Sequence, residues 1–370
     1  MTINHYKRIT LKVGSALVAD EVAGCVREAW IAAFAEDVAL LARQGKQVMI
    51  VTSGAIALGR MQLGMKPKSK LALEEKQAAA AVGQIALISA WREMLSKHGL
   101  VAAQLLLTAD DSIQRQRYLN ARATLETLIE HGAVAVINEN DTVATGEIRF
   151  GDNDRLAARV AQMAEAELLV LFSDIDGLYD ADPSKKPDAH FIPVVEQITP
   201  EIEQMAGGVN SAVGSGGMVT KIAAAKIATQ AGCHMVIASG KGARPLRTLM
   251  QGGKHTLFKA QGTPRAARKN WIAGSMHPKG RVVVDDGAAK ALASGKSLLP
   301  AGVKAVSGEF ERGDTVEIAL ANGKVLGKGL IAYHSDDTQL ILGKQSEEIE
   351  QILGFKRKDV LIHRDDMVLE

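Results

Sequence analysis

Only two cysteines occur in the 370 residues, Cys25 and Cys233, and they form no ligand-spacing motif. That scarcity excludes a disulfide framework and a cysteine-held zinc site, and it suits free thiols in a reducing compartment. Aromatic residues make up 4% of the chain, too few for a surface built to stack bases. No apolar run approaches the roughly 20 residues that a membrane-spanning helix needs. Lys7 and Arg8 precede only a short apolar run, so no secretory leader is read. The formal net charge of +2 carries no signature of a polyanion-binding protein. Neither G-x-x-x-x-G-K-[ST] nor G-x-G-x-x-G occurs, which argues against a P-loop and against a nicotinamide dehydrogenase. The nine histidines are scattered, and no Ser-His-Asp or Cys-His set emerges. These absences leave a cytoplasmic protein with no membrane segment, whose chemistry needs no covalent nucleophile.

What is present is 47% apolar and 23% charged residues in a chain long enough for two domains. Short apolar runs at 9–13, 47–53, 101–107, 133–137, 167–173 and 234–239 read as strands. Helical patterns at 30–44, 74–97, 116–131, 154–165 and 220–231 lie between them. Nearly all-apolar strands alternating with helices predict an α/β fold, an open and mainly parallel sheet sandwiched by helices. In such sheets ligands bind beyond the carboxyl ends of the strands. After about residue 275 the runs shorten and alternate, with Asp-Gly at 286–287 and Asn-Gly at 322–323 as turn pairs. The expected organisation is a first domain over 1–260, a linker over 261–276 and a small, mostly β domain over 277–370. The segment 241–281 holds ten Lys or Arg and no Asp or Glu. It reads as a basic linker or a solvated helix face, with anion binding as the alternative.

Polar clusters stand where several strands stop. Lys12 lies inside an apolar strand pattern, which is costly without an anionic partner; the alternative is an edge lysine reaching water. Ser53 and Gly54 follow the second strand into a helical pattern, either as an anion-binding nest or as a plain helix cap. Asn138-Glu139-Asn140-Asp141 directly follows five apolar residues, and Gly151-Asp152-Asn153-Asp154 opens a helix ten residues later. Ser173-Asp174 tips a further strand. Ser215, Gly216, Gly217, Met218, Val219, Thr220 and Lys221 form a glycine-rich turn running into an alanine-rich helix. Such a turn brings backbone N–H groups, a helix N-terminus and a lysine to one anion, although a glycine turn feeding a surface helix has the same look. Lys12, Lys221 and the glycines suit phosphate oxygens. Ser53, Asp141 and Asn153 suit a small zwitterion, with a carboxylate for its ammonium and donors for its carboxylate. Phosphoryl transfer fits, because it depends on positioning and positive charge.

Together, LKVGS (11–15), VTSGAIALG (51–59), VINENDTVA (136–144), GDND (151–154), DGLYDADP (176–183) and GSGGMVTK (214–221) resemble the amino acid kinase family, in its glutamate-phosphorylating branch. Residues 275–355 and the closing HRDDM resemble a PUA domain. The resemblance covers essentially the whole chain. It implies ATP-dependent phosphorylation of the L-glutamate γ-carboxylate to γ-glutamyl phosphate, the first step of proline synthesis, with Mg2+ on the β- and γ-phosphates and feedback inhibition by proline. Carried over by position, Lys12 and Lys221 neutralise the transferring phosphoryl group and Asp154 orients both. Ser53, Asp141 and Asn153 bind glutamate, with Asp141 at the ammonium. Lys12, Ser173, Asp174 and residues 215–221 contact the nucleotide. No metal ligand among the side chains is implied. The resemblance also implies a homo-oligomer such as a tetramer, and a glutamyl-phosphate reductase that takes over the labile product. Two alternatives stay open: a kinase of the same fold acting on aspartate, acetylglutamate, carbamate or UMP, and an RNA-binding role for the PUA-like part. The second is disfavoured by charge, since residues 277–370 carry 13 Lys or Arg against 15 Asp or Glu.

Overall fold

In the computed structural model of the protein, residues 3–20, 23–66, 71–144, 153–206, 217–273 and 278–369 are described. They fall into two units, Met1–Pro264 and Arg265–Glu370. The first is built on strands β1 (Arg8–Val13), β2 (Gln47–Thr52), β3 (Ala102–Leu107), β4 (Val134–Glu139), β5 (Leu168–Ser173), β6 (Val194–Val195), β7 (His234–Ser239) and β8 (His255–Phe258), in the order β6-β8-β7-β5-β1-β2-β4-β3. Every neighbouring pair is parallel except β7 with β8. The sheet is thus the mainly parallel one that the apolar runs predict. It reverses direction of growth at β1, with β2 on one side and β5 on the other, and such a switch point opens a ligand crevice at the strand ends.

Strand periodicity sorts the side chains onto two faces. Ile9, Leu11 and Val13 of β1 join Val48 and Ile50 of β2 against helices α1 (Glu28–Arg43), α2 (Ala55–Gln62) and α3 (Leu73–Ser96). Phe34 sits at the centre of this layer, edge-on to Trp91 at 5.9 Å and to Phe172 at 5.4 Å. Met49, Val51, Leu169 and Leu171 face the other way, against α4 (Arg115–Glu130), α5 (Asn153–Met163) and α6 (Met218–Gln230). Alternation with Leu11 and Val13 puts Lys12 on this second face, in register with Val51 and Leu171. A lysine is therefore carried into the core from the central strand.

Three glycines decide how the first layer closes. Gly54, at the turn from β2 into α2, has φ of +108°, a conformation that costs a side chain energy. Gly59 of α2 and Gly83 of α3 let the two helix backbones touch. A Cβ on Gly83 would lie 1.9 Å from the Ala55 carbonyl oxygen and 2.5 Å from the Gly59 nitrogen. The alanine-rich run around Gly83 thus serves close helix packing.

The basic stretch 241–281 is largely neutralised by carboxylates elsewhere in the chain. Arg244 and Arg247, at the start of α7 (Pro245–Met250), clamp Glu36 and the fully buried Asp37 of α1, Arg247 reaching Asp37 at 2.6 Å. Lys254 pairs with Asp176 at 3.0 Å and Lys259 with Glu196 at 2.7 Å. Arg265 and Arg268, on α8 (Pro264–Ala273), pair with Asp365 and Asp366. Arg281 pairs with Glu317 at 2.7 Å.

The second unit holds a separate five-stranded sheet of β9 (Gly280–Val284), β10 (Val303–Ser307), β11 (Thr315–Leu320), β12 (Val325–Leu330) and β13 (Met367–Leu369), ordered β10-β9-β11-β12-β13. Asn322-Gly323 joins the antiparallel β11 and β12, as a hairpin pair should. Asp286-Gly287 does not make a turn between strands. It opens α9 (Asp286–Ala293), because the Asp285 carboxylate accepts from the Ala288 N–H at 2.8 Å and caps a helix there. Among the described residues, no helix is long and apolar enough to cross a membrane.

Replacing Gly83 with alanine is expected to lower the unfolding free energy by about 2–3 kcal/mol through overpacking. A denaturation midpoint that falls at unchanged slope would register it.

Candidate active site

Beyond the carboxyl ends of β1, β2, β4, β5 and β7, the helices α5 and α6 begin, and their first turns meet over Lys12. Asp154, in the first turn of α5, is fully buried. Its Oδ1 lies 2.6 Å from Lys12 Nζ and its Oδ2 lies 3.2 Å from Lys221 Nζ. The Thr220 hydroxyl, 3.0 Å from Oδ2, completes the group. Burial pushes the Asp154 pKa up, but the two ammonium groups outweigh it and hold the carboxyl below its ordinary range. The N-terminal dipole of α5 favours the same charge state. One carboxylate thus serves two lysines, which brings two ammonium groups to one place. The residue after β1, Gly14, carries no side chain where a Cβ would stand 4.0 Å from Lys12 Nζ, so the ammonium keeps an open flank.

At the N-terminus of α6, Gly217 is exposed, and a Cβ there would meet nothing among the described residues within 4 Å. Its neighbours Met218 and Val219 are half-buried and exposed, whereas the Thr220 hydroxyl turns inward between Asp154 and the Gly217 carbonyl. Free N–H groups at a helix N-terminus beside a lysine make an anion site. Ser215 and Gly216 lie outside the described residues, as do Gly151 and Asp152. At the tip of β5 the Ser173 hydroxyl donates to Asp174 Oδ1 at 2.9 Å. That bond holds the Asp174 carboxyl below its usual range against partial burial, with help from Lys221 and Lys241. Ser173, Asp174 and Lys221 therefore share one electrostatic neighbourhood. Among the described residues, no cluster of three or more His, Cys, Asp or Glu side chains is arranged to hold a metal.

A second polar group lies at the ends of β2 and β4. Asn153 Nδ2 is 2.6 Å from the Thr52 carbonyl oxygen, 2.8 Å from Ser53 Oγ and 2.9 Å from Asn138 Oδ1. A backbone carbonyl can only accept, so the Thr52 contact fixes which end of the amide is nitrogen. That nitrogen has two hydrogens, and oxygens of the protein already occupy them. Asn153 thus has its carbonyl oxygen to offer a ligand, an acceptor suited to an ammonium. The residue type alone suggests a donor to a carboxylate, whereas here the donor end is turned to the Thr52 carbonyl. Ser53 Oγ, accepting from Asn153, keeps its own hydroxyl hydrogen for a carboxylate. Asp141 follows β4 by two residues, in the turn held by Ala144 N–H donating to the Asn140 carbonyl at 3.1 Å. Since Asn153 and Asp154 are adjacent at the start of α5, one helix end joins the two-lysine cluster to this group.

The site also contains residues that the sequence did not single out for it. Gln84 of α3 accepts from Asn138 Nδ2 at 2.8 Å, and Gln77 donates to the Ala144 carbonyl at 3.2 Å. Two glutamines two turns apart, flanking the alanine-rich run of α3, are their only signal in the sequence.

Paired buried lysines beside a helix N-terminus suit anions, the kind of environment that phosphoryl transfer requires. The chain belongs to the amino acid kinase family, whose family model matches residues 7–239. A PUA domain model matches residues 280–353. Similarity to proteins named glutamate 5-kinase runs through both parts. The one from Paramagnetospirillum magneticum is 59% identical over 98% of this chain and 98% of that protein. The one from Rhodospirillum rubrum is 56% identical over 97% and 96%, and the one from Agrobacterium fabrum 55% identical over 98% and 93%. Among solved structures, a UMP kinase from Ureaplasma parvum is similar at a TM-score of 0.47 and 17% identity, over 68% of this chain and 98% of that one.

Asp154→Asn is expected to destabilise the protein at neutral pH by about 3–5 kcal/mol, because two buried ammonium groups lose their counter-charge. Since the folded pKa of Asp154 is depressed, its stabilisation is complete above the unfolded carboxylate value of about 3.9 and is lost as pH falls through the folded value. Chemical denaturation of both proteins from pH 7 downward should show the gap closing only in that acid window.

Proposed function

We propose that the chain transfers the γ-phosphoryl group of ATP to the γ-carboxylate of L-glutamate, releasing ADP and γ-glutamyl phosphate and so opening proline synthesis. The observation that carries this reading is the sharing of Asp154 by Lys12 and Lys221, which sets two ammonium groups beside a helix N-terminus. The reaction has to bring two anions together. A carboxylate oxygen attacks the γ-phosphorus, the bond to the β–γ bridging oxygen breaks, and no proton moves, so no general base is needed. Lys12 and Lys221 act on the transferring group, and Asp154 holds them in place. Lys12, Ser173, Asp174 and residues 215–221 bind the nucleotide. Mg2+, when bound, supplies further neutralisation at the β- and γ-phosphates. Phosphate oxygens would hold it, with the ionised Asp174 as the suited side chain.

The amino acid binds with its ammonium between Asp141 and the Asn153 carbonyl and with Ser53 donating to a carboxylate. This reading is supported by the identity of 55% and above with glutamate 5-kinases along both units. It extends to a catalytic unit over 1–260, joined through 261–276 to a PUA-like unit over 277–370. It further includes a cytoplasmic homo-oligomer such as a tetramer, inhibition by proline, and a glutamyl-phosphate reductase downstream.

A coupled assay of ADP release should give turnover with glutamate and ATP but not with aspartate, acetylglutamate, carbamate or UMP; turnover confined to one of the latter overturns the assignment. In the same assay Lys221→Ala is expected to lose roughly 100-fold or more in kcat, the scale of a lost transition-state charge contact. Asp141→Ala should instead raise KM for glutamate with a smaller effect on kcat, as expected for a binding contact.

A further inference from the structure

Helix α3 bears Gln77 and Gln84, seven residues apart and therefore two turns along one side of the helix. Their contacts fall at the two ends of one segment. Gln84 Oε1 accepts from Asn138 Nδ2 at 2.8 Å, and Gln77 Nε2 donates to the Ala144 carbonyl at 3.2 Å. Between those anchors lies Asp141.

Asn138 is the more constrained of the two attachment points. At 2% exposure it has little access to water, so both ends of its amide need partners inside the protein. Its Oδ1 accepts from the Glu139 N–H at 2.9 Å and from Asn153 Nδ2 at 2.9 Å. A backbone N–H can only donate, so this contact fixes the oxygen end of Asn138 toward Asn153. The nitrogen end then points to α3 and requires an acceptor there. Gln84 supplies it. Gln84 can come this close because Gly83, its chain neighbour, lets α3 lie backbone to backbone on α2.

We propose that Gln84, seconded by Gln77, is a positioning residue for the amino-acid substrate. It holds Asn138, and through it the place of the Asn153 amide that the Thr52 carbonyl orients, and the pair fixes both ends of the segment that carries Asp141. This rests on reading Asn153 and Asp141 as amino-acid ligands. Neither glutamine belongs to the nucleotide side of the site, so their loss acts on one substrate only.

The test is steady-state kinetics of the full chain with each substrate varied in turn. Gln84→Met keeps length and volume but removes the acceptor. It should raise KM for glutamate about tenfold, the weight of one buried hydrogen bond, with kcat and the KM for ATP within about twofold of the parent. Gln84→Glu retains an oxygen acceptor and should keep the glutamate KM within about threefold. The proposal is overturned if Gln84→Met leaves the glutamate KM unchanged, if both KM values rise together, or if Gln84→Glu is as impaired as Gln84→Met. Should Gln84→Met fail to fold, Gln77→Met carries the test: a glutamate KM raised about threefold supports the clamp, and an unchanged one refutes it. Failure of the underlying functional reading is separable, because the parent chain would then show no turnover of glutamate before any variant is made.

Discussion

One buried carboxylate, Asp154, organises the first unit. Two lysines from opposite sides of the sequence converge on it, Lys12 from the central strand and Lys221 from α6. Neither could be buried without it, since an isolated ammonium in a core is prohibitively desolvated. Nor could Asp154 remain ionised there without them. The three groups fix how α5 and α6 meet over the sheet. They also bring two ammonium groups together beside the N-terminus of α6.

Much of this architecture is written in local pattern. Six apolar runs became six strands of the sheet because parallel strands covered on both faces must be apolar throughout, and that signal is strong. The small antiparallel additions, β6 and β8, are short and gave no comparable run. Asp285 redirected an expected turn into a helix by capping it, a choice made by one side chain. At the site, Lys12, Asp154 and Lys221 were visible as charges in apolar or helix-start contexts. The polarity of Asn153 was not, because it depends on a backbone carbonyl a hundred residues away in sequence. Gln77 and Gln84 were hidden for the same reason: their meaning lies across the fold, on β4 and the turn after it.

The basic stretch 241–281 shows the same limit from another side. Its composition invites an electrostatic reading, yet Arg244, Arg247, Lys254, Lys259, Arg265, Arg268 and Arg281 all have carboxylate partners elsewhere in the chain. Charge that looks concentrated along the sequence is dispersed in space. Local net charge describes a surface only when the partners are also local.

The central place of β1 has a consequence for the chain as it emerges from the ribosome. β1 is made first, and β2 covers one of its edges early. The other edge belongs to β5, which arrives only after β2, β3 and β4 have been synthesised. During that interval an apolar strand edge is open to any passing chain, the usual route to intermolecular pairing. Lys12 lies in that strand as a lone charge until its partner, Asp154, is made shortly before β5. A charge within an otherwise apolar strand is the kind of feature that opposes such pairing.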